Sequence, residues 1–339
     1  MATQMASGAA RRDRENDMQA LVLERFGGPE VLTWQAIDAP RLPPCSALVR
    51  IKAAGLNFAD IYRRRGDYHM DATPPWILGY EGAGEIIALS DDAEGGFAVG
   101  DRVGFADVPR ANAELVAAPL DRLIKLPDDI GFDTAAALLL QGLTAHYLIH
   151  DSARPRSGDV VVVHAAAGGV GLLLTQMLAA RGVVVVALAS SEAKRAAART
   201  AGATHVLGYD ADWPARVADL AGRGADIVYD SVGTTLTQSL DAARIGGTVV
   251  FYGFAGGDPA PVDPRLLMDR SLTLTGGDLW NVLTGLEERR RRAAELFEEV
   301  RKGRLIATIA ARVPLFEGSE AHRLLEGRGV IGKIVLTND

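Results

Sequence analysis

Six residues in mid-chain, Ala166-Ala167-Gly168-Gly169-Val170-Gly171, are of the types that let a main chain close around an anion. Glycine leaves no Cβ to hold a phosphate away from backbone N–H groups. Val160–Val163 before them are β-branched, as in a strand buried on both faces of a parallel sheet. Leu172–Ala180 after them begins a helix, whose positive N-terminal end is aimed at the same spot. A second apolar strand follows, completing the strand–turn–helix–strand order that a dinucleotide pyrophosphate requires. Ala167, Gly168, Gly169 and Val170 are the predicted contacts, with Ala166 where the first glycine of G-x-G-x-x-G usually falls. A turn used only for packing is the competing reading. His164, Thr175, Gln176 and Arg181 interrupt the run too often for a membrane span.

The end of the second strand selects the nucleotide. An acidic residue there would hold a ribose 2′-hydroxyl. This chain has Ser190 and Ser191, then Lys194: small hydroxyls that leave room for a 2′-phosphate, and an ammonium to balance it. Lysine is scarce, 5 residues against 31 arginines, which sharpens the signal. Glu192 opposes it and is expected to point to solvent from the first turn of a helix. Tyr209 is placed to close over the adenosine phosphate, or else to pack at the edge of the core. The predicted cofactor is NADPH.

The elements that must position these groups follow from the pattern. Residues 18–35 read as a hairpin turning at Phe26-Gly27-Gly28-Pro29, and Ala47–Ala53 as an alternating strand. Residues 78–103 combine strands with glycine turns, as in a small antiparallel barrel, and residues 133–150 are helical. Strands at 160–164, 183–188, 204–208, 226–229, 247–252 and 271–275 alternate with helices at 170–181, 191–201, 213–222 and 235–243. Repeated βα units of this kind make a doubly wound parallel sheet. Residues 286–303 form a charged helix in which Arg289–Arg292 stand among glutamates, read as a solvated face.

The 339 residues suffice for two domains, and 48% hydrophobic residues with 37 glycines suit an α/β enzyme. A net charge of −7 argues against nucleic-acid and anionic-membrane partners. Cys45 is alone, so there is no intrachain disulfide and no thiolate-rich zinc site, and a reducing, cytoplasmic setting is expected. Residues 1–17 lack an apolar run and are expected to be a disordered tail.

With these pieces in place, the chain resembles the zinc-free quinone oxidoreductase (zeta-crystallin-like) branch of the medium-chain dehydrogenase/reductase superfamily. The carriers are GLNFADIYRRRGDY (55–68), GYEGAGEI (79–86), GDRV (100–103), LLLQGLTAHYL (138–148), HAAAGGVG (164–171), SSEAK (190–194), YDSVG (229–233), FYGFAGG (251–257) and GRGVIGKIVL (327–336). The resemblance implies a GroES-like substrate lobe over 18–138, a Rossmann NADPH-binding domain over 139–275, and a return segment, 276–339, completing the first lobe. It also implies homodimers joined at the sheet edge, with Ser271–Thr275 as the edge strand. Zinc-dependent relatives carry a cysteine where this chain has GLNFAD, and a His-Glu pair where it has Tyr80-Glu81, so no metal is expected.

The same resemblance points to Asn57, Tyr62 and Tyr68 as catalytic candidates, the first two also at the nicotinamide end of the cofactor. The Tyr62 phenol is suited to donate to a developing oxyanion or to pass a proton; half-buried loop tyrosines are the plainer reading. Asp60 is expected to anchor the loop. Thr144, Ser231, Tyr252, Gly253, Phe254, Ala255 and Leu279 are further cofactor candidates, and Trp280 either stacks on a ring or packs in the core. Lys333 is a weaker cofactor candidate or a surface lysine. The expected reaction is hydride transfer from NADPH to a quinone or similar conjugated carbonyl. Reduction of an enone or enoyl-thioester double bond, and NADPH binding without catalysis, are the alternatives.

Overall fold

The computed structural model describes residues 17–70, 73–94 and 96–338. The expected tail lies outside them, except that Asp17 already opens the first strand. The chain divides into two compact units, one of residues 1–140 with 309–339, the other of residues 141–308.

In the first unit, β1 (Asp17–Leu23) and β2 (Thr33–Asp38) form the expected antiparallel hairpin. β3 (Ser46–Leu56) leads into α1 (Phe58–Arg65), which Gly66 stops in the left-handed region at φ +86°. β4 (Trp76–Ile77) pairs with β1. β5 (Gly82–Leu89), β6 (Arg102–Phe105), β7 (Leu115–Pro119) and β8 (Ile124–Lys125) then build the second sheet with β3. At eleven residues β3 is long enough for two partners along one edge: its first half pairs β7 and its second half the final strand, with β5 along the other edge. Its inward residues Val49, Ile51 and Leu56 pack with Ile86, Val103 and Phe105.

The second unit follows the helix α2 (Phe132–Tyr147) and a π-helical turn at Leu148–Ser152. Its strands are β9 (Val160–Val163), β10 (Val184–Leu188), β11 (His205–Leu207), β12 (Ala225–Asp230), β13 (Ala243–Phe251) and β14 (Thr273–Gly276). Between them lie α3 (Gly169–Ala179), α4 (Glu192–Thr200), α5 (Trp213–Ala221), α6 (Leu236–Ala242) and α7 (Pro264–Arg270). The sheet runs β11-β10-β9-β12-β13-β14, with every pair parallel. Strand order therefore reverses between β9 and β12, the point where ligands of such sheets bind. β14 is the edge strand, two residues later than expected at its start.

The second unit does not end near residue 275. The short helix α8 (Leu279–Val282) and α9 (Leu286–Arg301) belong to it, and the chain returns to the first unit only at Ile309. The cause is burial of a face read as solvated: Arg289 and Arg292 are 3% and 4% exposed. Arg292 holds Asp151 at 2.6 Å and Glu288 at 2.6 Å, and Glu295 meets His146 at 2.8 Å. The first unit is completed by β15 (Ile309–Pro314), α10 (Gly318–Glu326) and β16 (Lys333–Thr337).

Three buried histidines give the fold an acid-sensitive side. Burial, aided by the Arg64 guanidinium 3.1 Å from its Nδ1, pushes His322 down to about 3. Burial also brings His146 and His164 down to about 4. The folded state keeps all three neutral, while the unfolded chain takes up protons near pH 6.5. Stability is therefore complete above that value and falls as pH drops toward 4, by on the order of 1 kcal/mol per unit for each residue. Denaturant melts between pH 7 and 4.5 should show this slope, and His322→Asn, which keeps an acceptor for Arg64, should flatten it.

Candidate active site

Strand register brings the first cluster together. β16 pairs Ile334 with Leu56, so Lys333 falls beside Asn57. β5 pairs Gly82 with Ala54, so Glu81 falls beside Gly55, whose N–H donates to the Glu81 carbonyl at 3.1 Å. Lys333 Nζ donates to Asn57 Oδ1 at 2.7 Å and to Glu81 Oε2 at 2.6 Å. Asn57 Nδ2 donates to the same carboxylate oxygen at 3.0 Å and to the Gly55 carbonyl at 3.2 Å. The other Glu81 oxygen accepts the Leu140 N–H at 2.7 Å. Glu81 is fully buried, Lys333 is 2% exposed and Asn57 6%.

Gly55 is what allows this crossing. A Cβ there would stand 2.2 Å from Glu81 Oε2 and 2.3 Å from the Ala136 carbonyl. Asp60 anchors the start of α1 by accepting the Asn57 N–H at 2.9 Å. Burial pushes the Asp60 carboxyl up, against the pull of Arg63. Tyr62 and Tyr68, both half-buried, meet edge to face with ring centres 6.3 Å apart. The Arg63 guanidinium lies 3.8 Å from the centre of the Tyr80 ring and 5.0 Å from that of Tyr68. Lys333 is thus not at the surface, and it joins Asn57 directly.

In the second unit the glycine turn follows β9 at the strand reversal. Ala165 takes the left-handed conformation, φ +46°, one residue before the position where glycine is usual. Its N–H donates to the Tyr209 hydroxyl at 2.8 Å, so Tyr209 props the turn from its own side; burial raises that phenol. Ala166 and Ala167 are buried, and Gly168 caps α3 in extended geometry. The first helical bond runs from the Leu172 N–H to the Gly168 carbonyl at 2.9 Å, which leaves the N–H groups of the first turn pointing forward. At Gly169 a Cβ would fall 1.8 Å from Oε1 of Gln141, the far end of a side chain that now lies against the turn.

Ser190 is exposed where β10 ends, and Ser191 caps α4 by accepting the Lys194 N–H at 3.4 Å. Glu192 is tied to Arg195 at 2.9 Å and Arg199 at 2.7 Å on the outer face of the same helix, as its solvent-facing role requires. Beyond β12, Ser231 shares a side-chain hydrogen bond with Tyr252, whose phenol burial raises to about 12. The Ala255 N–H donates to the Ser231 carbonyl at 3.0 Å, so Tyr252, Gly253, Phe254 and Ala255 run beside that loop. Asp230 gathers the Val232 and Gly233 N–H groups and the Ser239 hydroxyl, and Ser239 reaches His164 at 3.0 Å. Thr144 is buried in α2 and Leu279 opens α8.

Residues 169–299 match the zinc-binding dehydrogenase family and residues 43–154 the alcohol dehydrogenase GroES-like domain. A Pseudomonas aeruginosa quinone oxidoreductase is 38% identical over 316 residues, 92% of this chain and 97% of its own. The chain belongs to the quinone oxidoreductase branch of the medium-chain dehydrogenase/reductase superfamily. A 2-haloacrylate reductase from a Burkholderia species is 35% identical over 94% of this chain and 98% of its own. The structure of Escherichia coli quinone oxidoreductase complexed with NADPH superposes with a TM-score of 0.90 at 32% identity, over 94% of this chain and all of that one.

Zinc, which gives one matching family its name, does not fit beside Glu81 and Tyr80 in this quinone oxidoreductase homologue. The carboxylate of Glu81 is already held by the Lys333 ammonium, and the Tyr80 ring faces the Arg63 guanidinium. A divalent cation there would meet two fixed positive charges and no thiolate or imidazole ligand set among the described residues. Sequence reasoning passed over Glu81, Gly55 and Arg63 as site residues. A buried glutamate in the apolar, glycine-rich segment GYEGAGEI was the signal, since it demands a partner.

Gly171 separates packing from binding in the turn. A Cβ there would lie 2.4 Å from the Ala165 carbonyl and 2.7 Å from the Ala166 Cα, both backbone atoms that cannot swing aside. Gly171→Ala should therefore cost about 1–3 kcal/mol in urea unfolding.

Proposed function

We propose that this chain binds NADPH and reduces a quinone or similar conjugated carbonyl. The observation that carries the reading is the glycine turn at the strand reversal, with Ser190, Ser191 and Lys194 at the end of the neighbouring strand. The turn fits a dinucleotide: among the described residues, and apart from its two chain neighbours, the Ala165 carbonyl alone lies within 4 Å of where a Gly168 Cβ would be. Ala167, Gly168, Gly169 and Val170 would cradle the pyrophosphate with their backbone. Ser190 and Lys194 would hold the 2′-phosphate, and Tyr209 would keep the turn in shape. Ser231, Tyr252, Gly253, Phe254, Ala255, Thr144 and Leu279 would line the path toward the nicotinamide.

Bound NADPH would supply the hydride. Tyr62, with Tyr68 beside it, would donate to the oxygen on which negative charge develops. Asn57 would act as an acceptor, since both N–H bonds of its amide are spent on Gly55 and Glu81. Lys333 would act through Asn57 and not on the cofactor itself. The acceptor must arrive already electrophilic, as a quinone does. We further read the protein as a cytoplasmic homodimer joined along β14, whose outer edge has no strand beside it among the described residues.

Reduction of a carbon–carbon double bond is the second reading, favoured by the likeness to a 2-haloacrylate reductase. NADPH consumption over a panel of quinones, enones and enoyl-thioesters should be fastest with quinones; turnover of thioesters alone would overturn the assignment. Lys194→Glu should raise the Kd for NADPH at least about tenfold, the worth of one charge-assisted hydrogen bond, and leave NADH within about twofold. Equal weakening of both would remove the phosphate-recognition reading.

A further inference from the structure

We propose that Lys333 is a positioning residue: its buried ammonium, held between Glu81 and Asn57, sets which way the Asn57 amide faces and locks the start of α1. The proposal rests on the reading of Asn57 and Tyr62 as nicotinamide-end residues. It begins from donor chemistry. An ammonium has only hydrogens to give, so the amide atom 2.7 Å from Lys333 is the oxygen. The amide nitrogen is then turned toward two acceptors, the Gly55 carbonyl and the Glu81 carboxylate. No rotation of Asn57 by half a turn is tolerated, because it would set NH₂ against the ammonium and oxygen against the carboxylate.

Charge closes the arrangement. Lys333 faces Glu81 at 2.6 Å, and one turn of α1 away Arg63 faces Asp60 at 4.0 Å, so two positive and two negative groups occupy one buried neighbourhood. Asp60 is bonded to the backbone N–H of the same Asn57 whose side chain Lys333 holds. Residue 57 is thus gripped at main chain and side chain by groups of opposite sign. The helix that carries Tyr62 starts from this fixed residue. Burial pushes the Lys333 ammonium down, and Glu81 opposes it; the pair is therefore sustained by its geometry and is sensitive to loss of either partner.

The test removes both charges together. Lys333→Met alone leaves Glu81 uncompensated, so Lys333→Met with Glu81→Gln is the informative variant. The chain has five asparagines, which makes selective ¹⁵N-Asn labelling readable, with Asn57→Ala assigning the resonance. In the native protein the Asn57 side-chain protons should exchange slowly with water. In the double variant, at closely similar Tm, exchange should speed by about tenfold or more and kcat/KM should fall by a similar factor, with kcat bearing most of the loss. Adding Asn57→Ala to the double variant should lower kcat/KM little further, because one amide carries the effect. Slow exchange retained in the double variant overturns the proposal, as does a full additive loss on Asn57→Ala. Slow exchange in a native protein that turns over no acceptor would remove the functional reading and leave the positioning role standing.

Discussion

A carboxylate can lie buried against β3 only because residue 55 has no side chain, and the ammonium that reaches it from β16 is its charge partner there. Strand register brings the groups together: β5 and β16 flank the end of β3 so that Glu81 and Lys333 converge on Gly55 and Asn57. The last residues of the chain are thereby tied to the helix that starts at Phe58. A one-residue slip of either strand would turn its charged side chain to the opposite face and strand its partner in the core. The ion pair is a poor source of stability but a strict selector of register, which is the role such pairs fill best.

The second unit solves a different problem, how to leave backbone N–H groups pointing at an anion without letting the turn collapse. Rigidity comes from behind the turn. Tyr209 accepts from Ala165, and Gln141 fills the space that a Gly169 side chain would take. His164, the residue after β9, is bound through Ser239 to Asp230 at the end of β12. Because Ser239 gives its one hydrogen to Asp230, it accepts from His164, so His164 carries its proton on Nε2. The two strand ends flanking the reversal are thus cross-linked by neutral and charged hydrogen bonds beneath the surface that would face a ligand.

How much of this was legible in the sequence depends on distance along the chain. The glycine turn, the strand before it and the helix after it involve consecutive residues, and their bounds fall within a residue or two of expectation. The cap at Ser191 and the outward role of Glu192 are local in the same way. The surface reading of Lys333 failed because its partner Asn57 lies 276 residues away, and nothing in GKIVL says which strand it will meet. Arg292 was misjudged because glutamates at helical spacing look the same on a solvated face and a buried one. Its deciding partner, Asp151, is 141 residues distant, and that pairing also carries the second unit past its expected end.

The donor count at Asn57 narrows the chemistry in a way no motif does. Of the three residues grouped at that end of the first unit, Asn57 has both amide hydrogens committed to Gly55 and Glu81. Any hydrogen bond these three give to a developing oxyanion must then come from a phenol, Tyr62 or Tyr68. A phenol is a weaker polariser than a metal ion, so it suits acceptors whose reduction produces a stabilised enolate or hydroquinone oxygen, and not an isolated ketone. The Lys333 ammonium does not reverse that conclusion, because Glu81 and Asn57 absorb its field at 2.6 and 2.7 Å. Its contribution is to geometry, and under the proposed function the reactivity would be brought by the substrate.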